Sequence, residues 1–423
     1  MLPRQLLPTI AVAAVTAAGP VPAHSQRADT VVRIQPSPRH PGTATIVPDI
    51  SIGAADGADE YLFGDIAEIA VAKNGTIYVF DRQVPALRQY DVTGKYVRTL
   101  GRSGSGPGEY RTGGGLAVHP DGRVLLWDTG NWRINVYTPA GANLPAWTTP
   151  SGSSGSMSLS TSRSLLVDSA GLVYVRRDAF FLRDPSARRV FWIRLHADGR
   201  LRDTIPSPTF AANAPGLTAT NSAGNATVSA EVPFSAQPIV AMSPLGFFVT
   251  AMPVQYAFEI LRPGAPVTSV RRPVQPAAVS DRERDSARKA VEERMRKTDP
   301  IWTWSGPAVP RTRPAFENVL IGSDGRIWLA IVPENSRRVG SVSGGVGLGG
   351  GRVGAPGPAR SPGQPEKPRA ALYDVFEPDG AYLGRIEIPP RISTVVRRGD
   401  YVWGVEYDED DIPHVKRYRI VWR

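Results

Sequence analysis

The chain has no cysteine among its 423 residues. That excludes disulfide staples, thiolate metal sites, a cysteine nucleophile and a lipidated N-terminal cysteine. Histidine is nearly as scarce, with five in all, so a site built on several imidazoles is poorly supplied. Lysine is scarce too: six stand against forty-three arginines, and the formal net charge is +10. The arginine pairs Arg176/Arg177, Arg188/Arg189, Arg271/Arg272, Arg337/Arg338 and Arg397/Arg398 are dispersed. They form no basic block of the kind that grips nucleic acid, and no nucleic-acid partner is expected. After the first 25 residues no apolar run approaches the roughly 18 residues of a membrane span.

Those first 25 residues carry Arg4, an apolar stretch from Leu6 to Ala18, and Ala23-His24-Ser25, whose small residues suit a signal peptidase. Pro8, Gly19, Pro20 and Pro22 interrupt the run, which argues against a permanent anchor. Residues 1–25 are read as a signal peptide, the mature chain as starting at Gln26, and the destination as periplasmic or secreted.

Glycine and proline are what the sequence has in excess, at 42 and 40 residues. Together they disfavour helical bundles and coiled coils and imply many tight turns. With 41% hydrophobic and 21% charged residues, the chain can bury a large core.

Those turns repeat. Six short apolar runs each meet a turn glycine and then a second apolar run: Ile69–Ala72 and Ile77–Phe80 around Gly75, Leu116–Val118 and Val124–Trp127 around Gly122, and Leu165–Val167 and Leu172–Val175 around Gly171. The others are Ile239–Met242 and Phe247–Val249 around Gly246, Val319–Ile321 and Ile327–Leu329 around Gly325, and Thr394–Val396 and Tyr401–Trp403 around Gly399. Asn-Gly and Asp-Gly between β-branched and aromatic runs mark hairpins, because glycine supplies the positive φ that the favoured turns need. The runs are apolar at nearly consecutive positions, as expected of strands covered on both faces. A second hairpin follows in five units, turning at Gly94, Gly141, Gly199, Gly264 and Gly380.

Each of those units therefore has four strands. The sixth has only a third, His414 to Trp422, before the chain stops. An open array would leave edges bare. The economical solution is a ring closed by an N-terminal strand, from Thr30–Ile34 or Thr43–Ile52, with Ile46–Ile52 favoured.

The turn glycines are 47 and 49 residues apart at first and then 75, 79 and 74, so later units carry insertions. These are a polar stretch over 206–233, a helical one over 271–314, and a Gly/Pro/Arg-rich loop over 336–369 read as disordered. The helix starts at Ser280 with Glu283 completing a capping box, and Pro300 stops it. Ala287, Val291 and Met295 give it a thin apolar stripe. It is expected to lie on the propeller surface, with a lid over the channel as the sharper alternative.

Tyr61–Gly64, the loop Gly101-Arg-Ser-Gly-Ser-Gly-Pro-Gly-Glu-Tyr110 and the string Asp128-Thr-Gly-Asn-Trp-Arg-Ile134 resemble the blade-linking loop and strand start of NHL-repeat and TolB-like six-bladed β-propellers. The resemblance is clearest over residues 61–141; beyond residue 200 only the periodicity remains. It implies six four-stranded antiparallel blades around a channel. Ligands would meet the face made by the loops between blades and between second and third strands. The family includes binding scaffolds, extracellular sensor parts, lyases and metal-dependent hydrolases, so fold alone does not choose.

Candidate chemistry is sparse. His119 and His196 sit beside turns and are read as surface turn residues, and a three-histidine site is disfavoured. Asp408-Glu409-Asp410-Asp411 offers four oxygen donors, making calcium the one metal candidate, although the string lacks the spacing of a calcium loop. Gly345–Gly350 matches G-x-G-x-x-G but lacks the strand and helix that make the pattern cradle phosphate. Asp128 and Asn131 are assigned to bonding turn amides, and Trp127, Trp328 and Trp403 to blade packing. The residues placed at a ligand are Arg82, Arg102, Glu109, Tyr110, Trp132 and Arg133, because stacking and bidentate hydrogen bonds suit sugars, peptides and carboxylates. The reading is an all-β, six-bladed propeller with one inserted helix: a monomeric, exported binding module for a peptide, glycan or protein, without catalysis, catalytic residues or cofactor. The alternative is a metal-dependent propeller hydrolase or lyase with channel-facing carboxylates.

Overall fold

The computed structural model describes residues 30–148, 165–178, 190–210, 215–331 and 370–423. The expected signal peptide, the 336–369 loop and the Gly345–Gly350 string lie outside the described residues.

Five consecutive blades, each of four antiparallel strands, follow the chain. Blade 1 runs from Ile66–Val71 through Ile77–Asp81 and Ala86–Tyr90 to Tyr96–Leu100. Blades 2 to 5 begin at Gly113–Val118, Leu165–Val167, Ile239–Met242 and Asn318–Ile321. They end at Asn143–Thr148, Leu201–Pro206, Val267–Arg271 and Tyr382–Ile388. Blade 6 takes three strands from the C-terminal end, Ile392–Arg398, Tyr401–Tyr407 and Pro413–Val421. Its fourth is Thr43–Ile52, antiparallel to the last, with Ile46 opposite Ile420 and Ile52 opposite Val415. The expected closure is present.

Packing explains why the sheets form a ring. The second strands Ile77–Asp81 and Val124–Asp128 are buried at every position, so each needs a neighbour on both faces. Hydrophobic cores fill all six joints between successive blades, including the joint between the last and the first, where Val405 and Trp403 pack with Ile69 and Val79. Trp127, Trp328 and Trp403 are buried there as expected.

Two features of the N-terminal arm differ from the sequence reading. The closing strand starts at Thr43, three residues before the expected Ile46, and Thr43 and Ala44 also pair with Arg385 and Ile386, fusing blades 5 and 6 into one eight-stranded sheet. Thr30–Ile34 does not approach the C-terminal strand; it lies parallel to Val267–Arg271 as a fifth strand on blade 4.

The two ends of the ring are unlike. Hairpins between first and second strands, and between third and fourth, are short turns at one end. The links between blades, and between second and third strands, open at the other. Among the described residues, the long connections, 215–238 and 272–317, belong to the second end.

At the short-turn end, arginines tie one blade to a main-chain carbonyl of the next. Arg98 donates to Ala140 O, Arg123 to Ala197 O (2.7 Å), Arg262 to Pro378 O (2.6 Å), Arg326 to Gly399 O (2.8 Å) and Arg398 to Ala72 O (3.1 Å). Five of the six joints are clasped in this way, a use that suits the planar, multiply donating guanidinium better than an ammonium.

The insertions at the other end fold onto each other. A hairpin, Gly216–Thr220 and Thr227–Glu231, packs against the helix Asp281–Arg296 through Leu217, Ala219, Ala230, Val291, Met295 and Trp302. The capping box is formed: Glu283 N donates to Ser280 Oγ, and the Glu283 carboxylate accepts from Ser280 N. The stripe of Ala287, Val291 and Met295 is buried, so the helix belongs to a cap with its own small core.

Candidate ligand-binding face

Blades 1 and 2 show how the long-loop end is built. Their second strands end in buried Asp81 and Asp128, each six residues after its turn glycine. The Asp81 carboxylate accepts from the amides of Gly64 (2.8 Å), Asp65 (3.1 Å) and Gln83 (3.0 Å). Asp128 accepts from the amides of Thr112 (3.1 Å) and Gly130 (3.1 Å) and from Asn131 Nδ2 (2.7 Å). One carboxylate thus ties the incoming interblade link to the loop between second and third strands. Asp128 bonds turn amides as expected, whereas the Asn131 side chain accepts no amide and instead donates to the Asp128 carboxylate and to Gly104 O.

The loop 101–110 is braced in the same manner. Asn131 Nδ2 donates to Gly104 O (2.9 Å), Arg133 Nη2 to Gly106 O (2.5 Å) and Glu109 O (2.7 Å), and Tyr137 OH to Gly108 O (3.0 Å). At Gly108, φ is +72° and an added Cβ would strike Asn143 at 2.8 Å, so this link requires glycine. The Glu109 carboxylate accepts from Gly106 N (2.7 Å) and Arg102 Nε (2.7 Å). The Gly106 amide first, then Arg102, holds it below the usual carboxylate range.

The six residues placed at a ligand therefore divide. Tyr110 is a correction: it is fully buried, its hydroxyl donating to Leu100 O (3.0 Å) and accepting from Leu87 N (2.9 Å), with burial pushing it up to about 12. Its ring packs edge-on to Phe80, so it is a joint between blades 1 and 2. Arg133 and Glu109 are committed to the loop frame. Arg102, with 82% of its side chain exposed, meets them through Glu109. Arg82 is engaged elsewhere, on Asp65 (2.6 Å). Trp132 stands out: it is 44% exposed and its backbone is left-handed, with φ +54°, unusual for a bulky residue.

What the sequence reading missed lies behind Trp132. The guanidinium of Arg177, from blade 3, sits 4.7 Å from the ring centre of Trp127 and 5.8 Å from that of Trp132. The two indoles meet edge to face at 6.3 Å. Arg177 is buried, and burial holds its pKa below the ordinary value. The signal was present: six residues after the turn glycine, blades 1 and 2 have aspartate, whereas blade 3 has Arg177. A cation here receives no amides and instead seats the neighbouring blade's indoles. The result is a half-exposed aromatic platform backed by a fixed positive charge, suited to stacking a planar or ring-shaped group.

The other polar candidates are bound up in turns. His119 is buried, contrary to the surface reading, and bridges blades 2 and 3 through Gly171 O (3.0 Å) and Asp121 (2.7 Å). Asp121 is held at about 2: partial burial opposes ionisation, and Arg123 and His119 outweigh it. In the acidic string, Asp408 accepts from the amides of Asp410 (3.0 Å) and Ile412 (2.9 Å) and pairs with His414 (3.1 Å). Among the described residues, no three His, Asp or Glu side chains converge as metal ligands, and no helix is long and apolar enough to cross a membrane.

A family model described as 6-bladed beta-propeller matches residues 56–130, the first blade and the inner half of the second. No curated protein matches the sequence. Among solved structures, a Bacteroides fragilis protein described as exported is 9% identical, covering 93% of this chain and 100% of its own, with TM-score 0.48. A DUF4221-family member from Bacteroides vulgatus is 9% identical, covering 90% and 99%, with TM-score 0.47. Virginiamycin B lyase from Staphylococcus aureus is 10% identical, covering 84% and 95%, with TM-score 0.37. With the family match over its first blade and six radial sheets closed by Thr43–Ile52, the chain is a six-bladed β-propeller.

Proposed function

We propose that the protein is an exported, monomeric binding module that presents its long-loop end to a peptide, glycan or protein partner and performs no catalysis of its own. One observation carries the reading: among the described residues, the extended connections open at one end of the ring, and the opposite end is reduced to short turns. A scaffold under no demand to bind has no reason to segregate its variable loops. Trp132, backed by Arg177, is the contact we place at the centre of that face, with Arg102 and Arg82 as outlying cations. The likeness of residues 61–141 to NHL-repeat and TolB-like propellers supports the same face. The leader-like first 25 residues support export to the periplasm or beyond.

Glycan and peptide arrays probed with the chain from Gln26 onward test this. Trp132→Ala should weaken a hit by about 30-fold, the effect of losing an interfacial tryptophan worth about 2 kcal/mol. Lys73→Ala, at the short-turn end, should change nothing. Binding that survives Trp132→Ala and Arg102→Ala but falls with Lys73→Ala would overturn the proposal. So would stoichiometric calcium or zinc that resists dialysis and supports hydrolysis of a bound ligand.

A further inference from the structure

Blade 4 is the one sheet with a strand it does not need. The other five blades have four strands each, blades 5 and 6 being joined edge to edge through the closing strand, yet Thr30–Ile34 adds itself in parallel to Val267–Arg271, in register from Thr30 opposite Val267 to Ile34 opposite Arg271. This strand contributes little to any core. All its residues except Arg33 are exposed, Ile34 at 66%. By contrast, the closing strand Thr43–Ile52 buries Ala44, Ile46 and Ile52. The strand is held by a main-chain ladder and by an ion pair from Arg33 to Asp379 at 3.1 Å.

That combination is the physics of strand addition, in which the ladder gives affinity and a few side chains give selectivity. The segment is also separable. Gln35 N donates to Arg271 O (2.8 Å), after which Pro36 and Pro38 interrupt the ladder. The Gln35 side chain accepts from Tyr382 N (3.4 Å), and the main chain is gripped again at Arg39 N to Tyr382 O (3.0 Å) and His40 N to Leu383 O (2.8 Å). Residues 30–34 can leave without disturbing the closing strand.

We propose that the outer edge of blade 4, Val267–Arg271, is a docking site for an extended peptide of a partner protein, occupied in cis by Thr30–Ile34. The peptide it fits has β-branched residues around a basic residue that faces Asp379. A strand tethered this closely competes at an effective concentration of about 1 mM, so the intact chain takes a partner's peptide only when its own strand is weakened or drawn away. This surface is separate from the long-loop end, and its failure would leave the reading of that end intact.

The test uses the full chain. Gln35 points its amide at the blade, and alternation along the strand makes Arg33 and Val31 do the same. Val31→Pro removes a ladder donor from the cis strand. A fluorescent peptide with the sequence of residues 30–35, followed by anisotropy, should bind the Val31→Pro chain at least tenfold more tightly than the wild type. Adding Asp379→Asn should weaken it two- to fivefold, the worth of an exposed ion pair. Three results would each overturn the proposal: a folded Val31→Pro chain with no saturable binding up to about 1 mM peptide, loss of the folded ring in that variant, or a wild-type chain that elutes as a dimer with exchanged arms.

Discussion

The two ends of the ring use their arginines differently, although the long-loop end also builds Arg133 and Arg177 into its frame. At the short-turn end, Arg98, Arg123, Arg262, Arg326 and Arg398 reach across joints to carbonyls of the next blade. At the long-loop end, Arg82 and Arg102 pair with carboxylates of their own neighbourhood and stay largely in water. The comparison teaches that the high arginine content is in good part architectural. One end is locked by guanidinium clasps and glycine turns; the other is free to carry insertions, and it holds the exposed indole of Trp132.

The largest effect that would break this picture concerns closure. Deleting residues 26–52 removes the fourth strand of blade 6 and its buried Ala44, Ile46 and Ile52, and no cooperative thermal transition should remain. Deleting 340–366 should leave the melting temperature nearly unchanged. Equal transitions would contradict the ring.

Next is the joint between blades 4 and 5. Asp374 is buried and accepts from Arg272 Nη1 (2.6 Å), Arg385 Nε (2.8 Å), Tyr256 OH (2.6 Å) and Tyr382 OH (3.0 Å). Asp374→Ala strands two guanidiniums, that of Arg272 mostly covered, and should cost about 3–5 kcal/mol in urea unfolding.

The clasps should be worth less. Arg326→Ala should cost about 1–2 kcal/mol, the value of a charge-assisted hydrogen bond. Arg82→Ala at the other end should cost under about 0.5 kcal/mol. Comparable losses would erase the contrast between the two ends.

The smallest effect is on pH. Asp121, depressed to about 2 from an ordinary 3.8, contributes stability that is present above the unfolded value and lost as pH falls through the folded one. Melting temperatures taken from pH 4 down to pH 2 should fall less steeply for Asp121→Asn than for the wild type.

Most of the fold was legible because glycine punctuates it. Hairpins turning at Asn-Gly and Asp-Gly announce themselves, and a third strand without a fourth asks for a partner. The fifth strand on blade 4 gave no such sign: a parallel edge strand has no hairpin turn beside it, and Thr30–Ile34 carries no periodic burial. At the candidate site the loop frame was readable, but the fate of individual side chains was not. Tyr110 follows a Gly-Glu turn as an exposed residue would, yet its hydroxyl closes on Leu100 O. His119 looks like a turn residue until the next blade's Gly171 covers it. Arg177 was visible only by aligning blade 3 on its turn glycine, where an arginine replaces the buried aspartate of blades 1 and 2.

Circular closure is the claim on which both ends depend, and the absence of native cysteine makes it directly measurable. Val47 lies opposite Arg419 across the joint between Thr43–Ile52 and Pro413–Val421, within the Cα separation a disulfide tolerates. The chain carrying Val47→Cys and Arg419→Cys should oxidise to a monomer two hydrogens lighter, with both cysteines in one linked peptide pair. Its melting temperature should rise, since the bond closes a loop of several hundred residues. Cysteines that stay reduced under the same oxidation, or that link only between molecules, would contradict the ring.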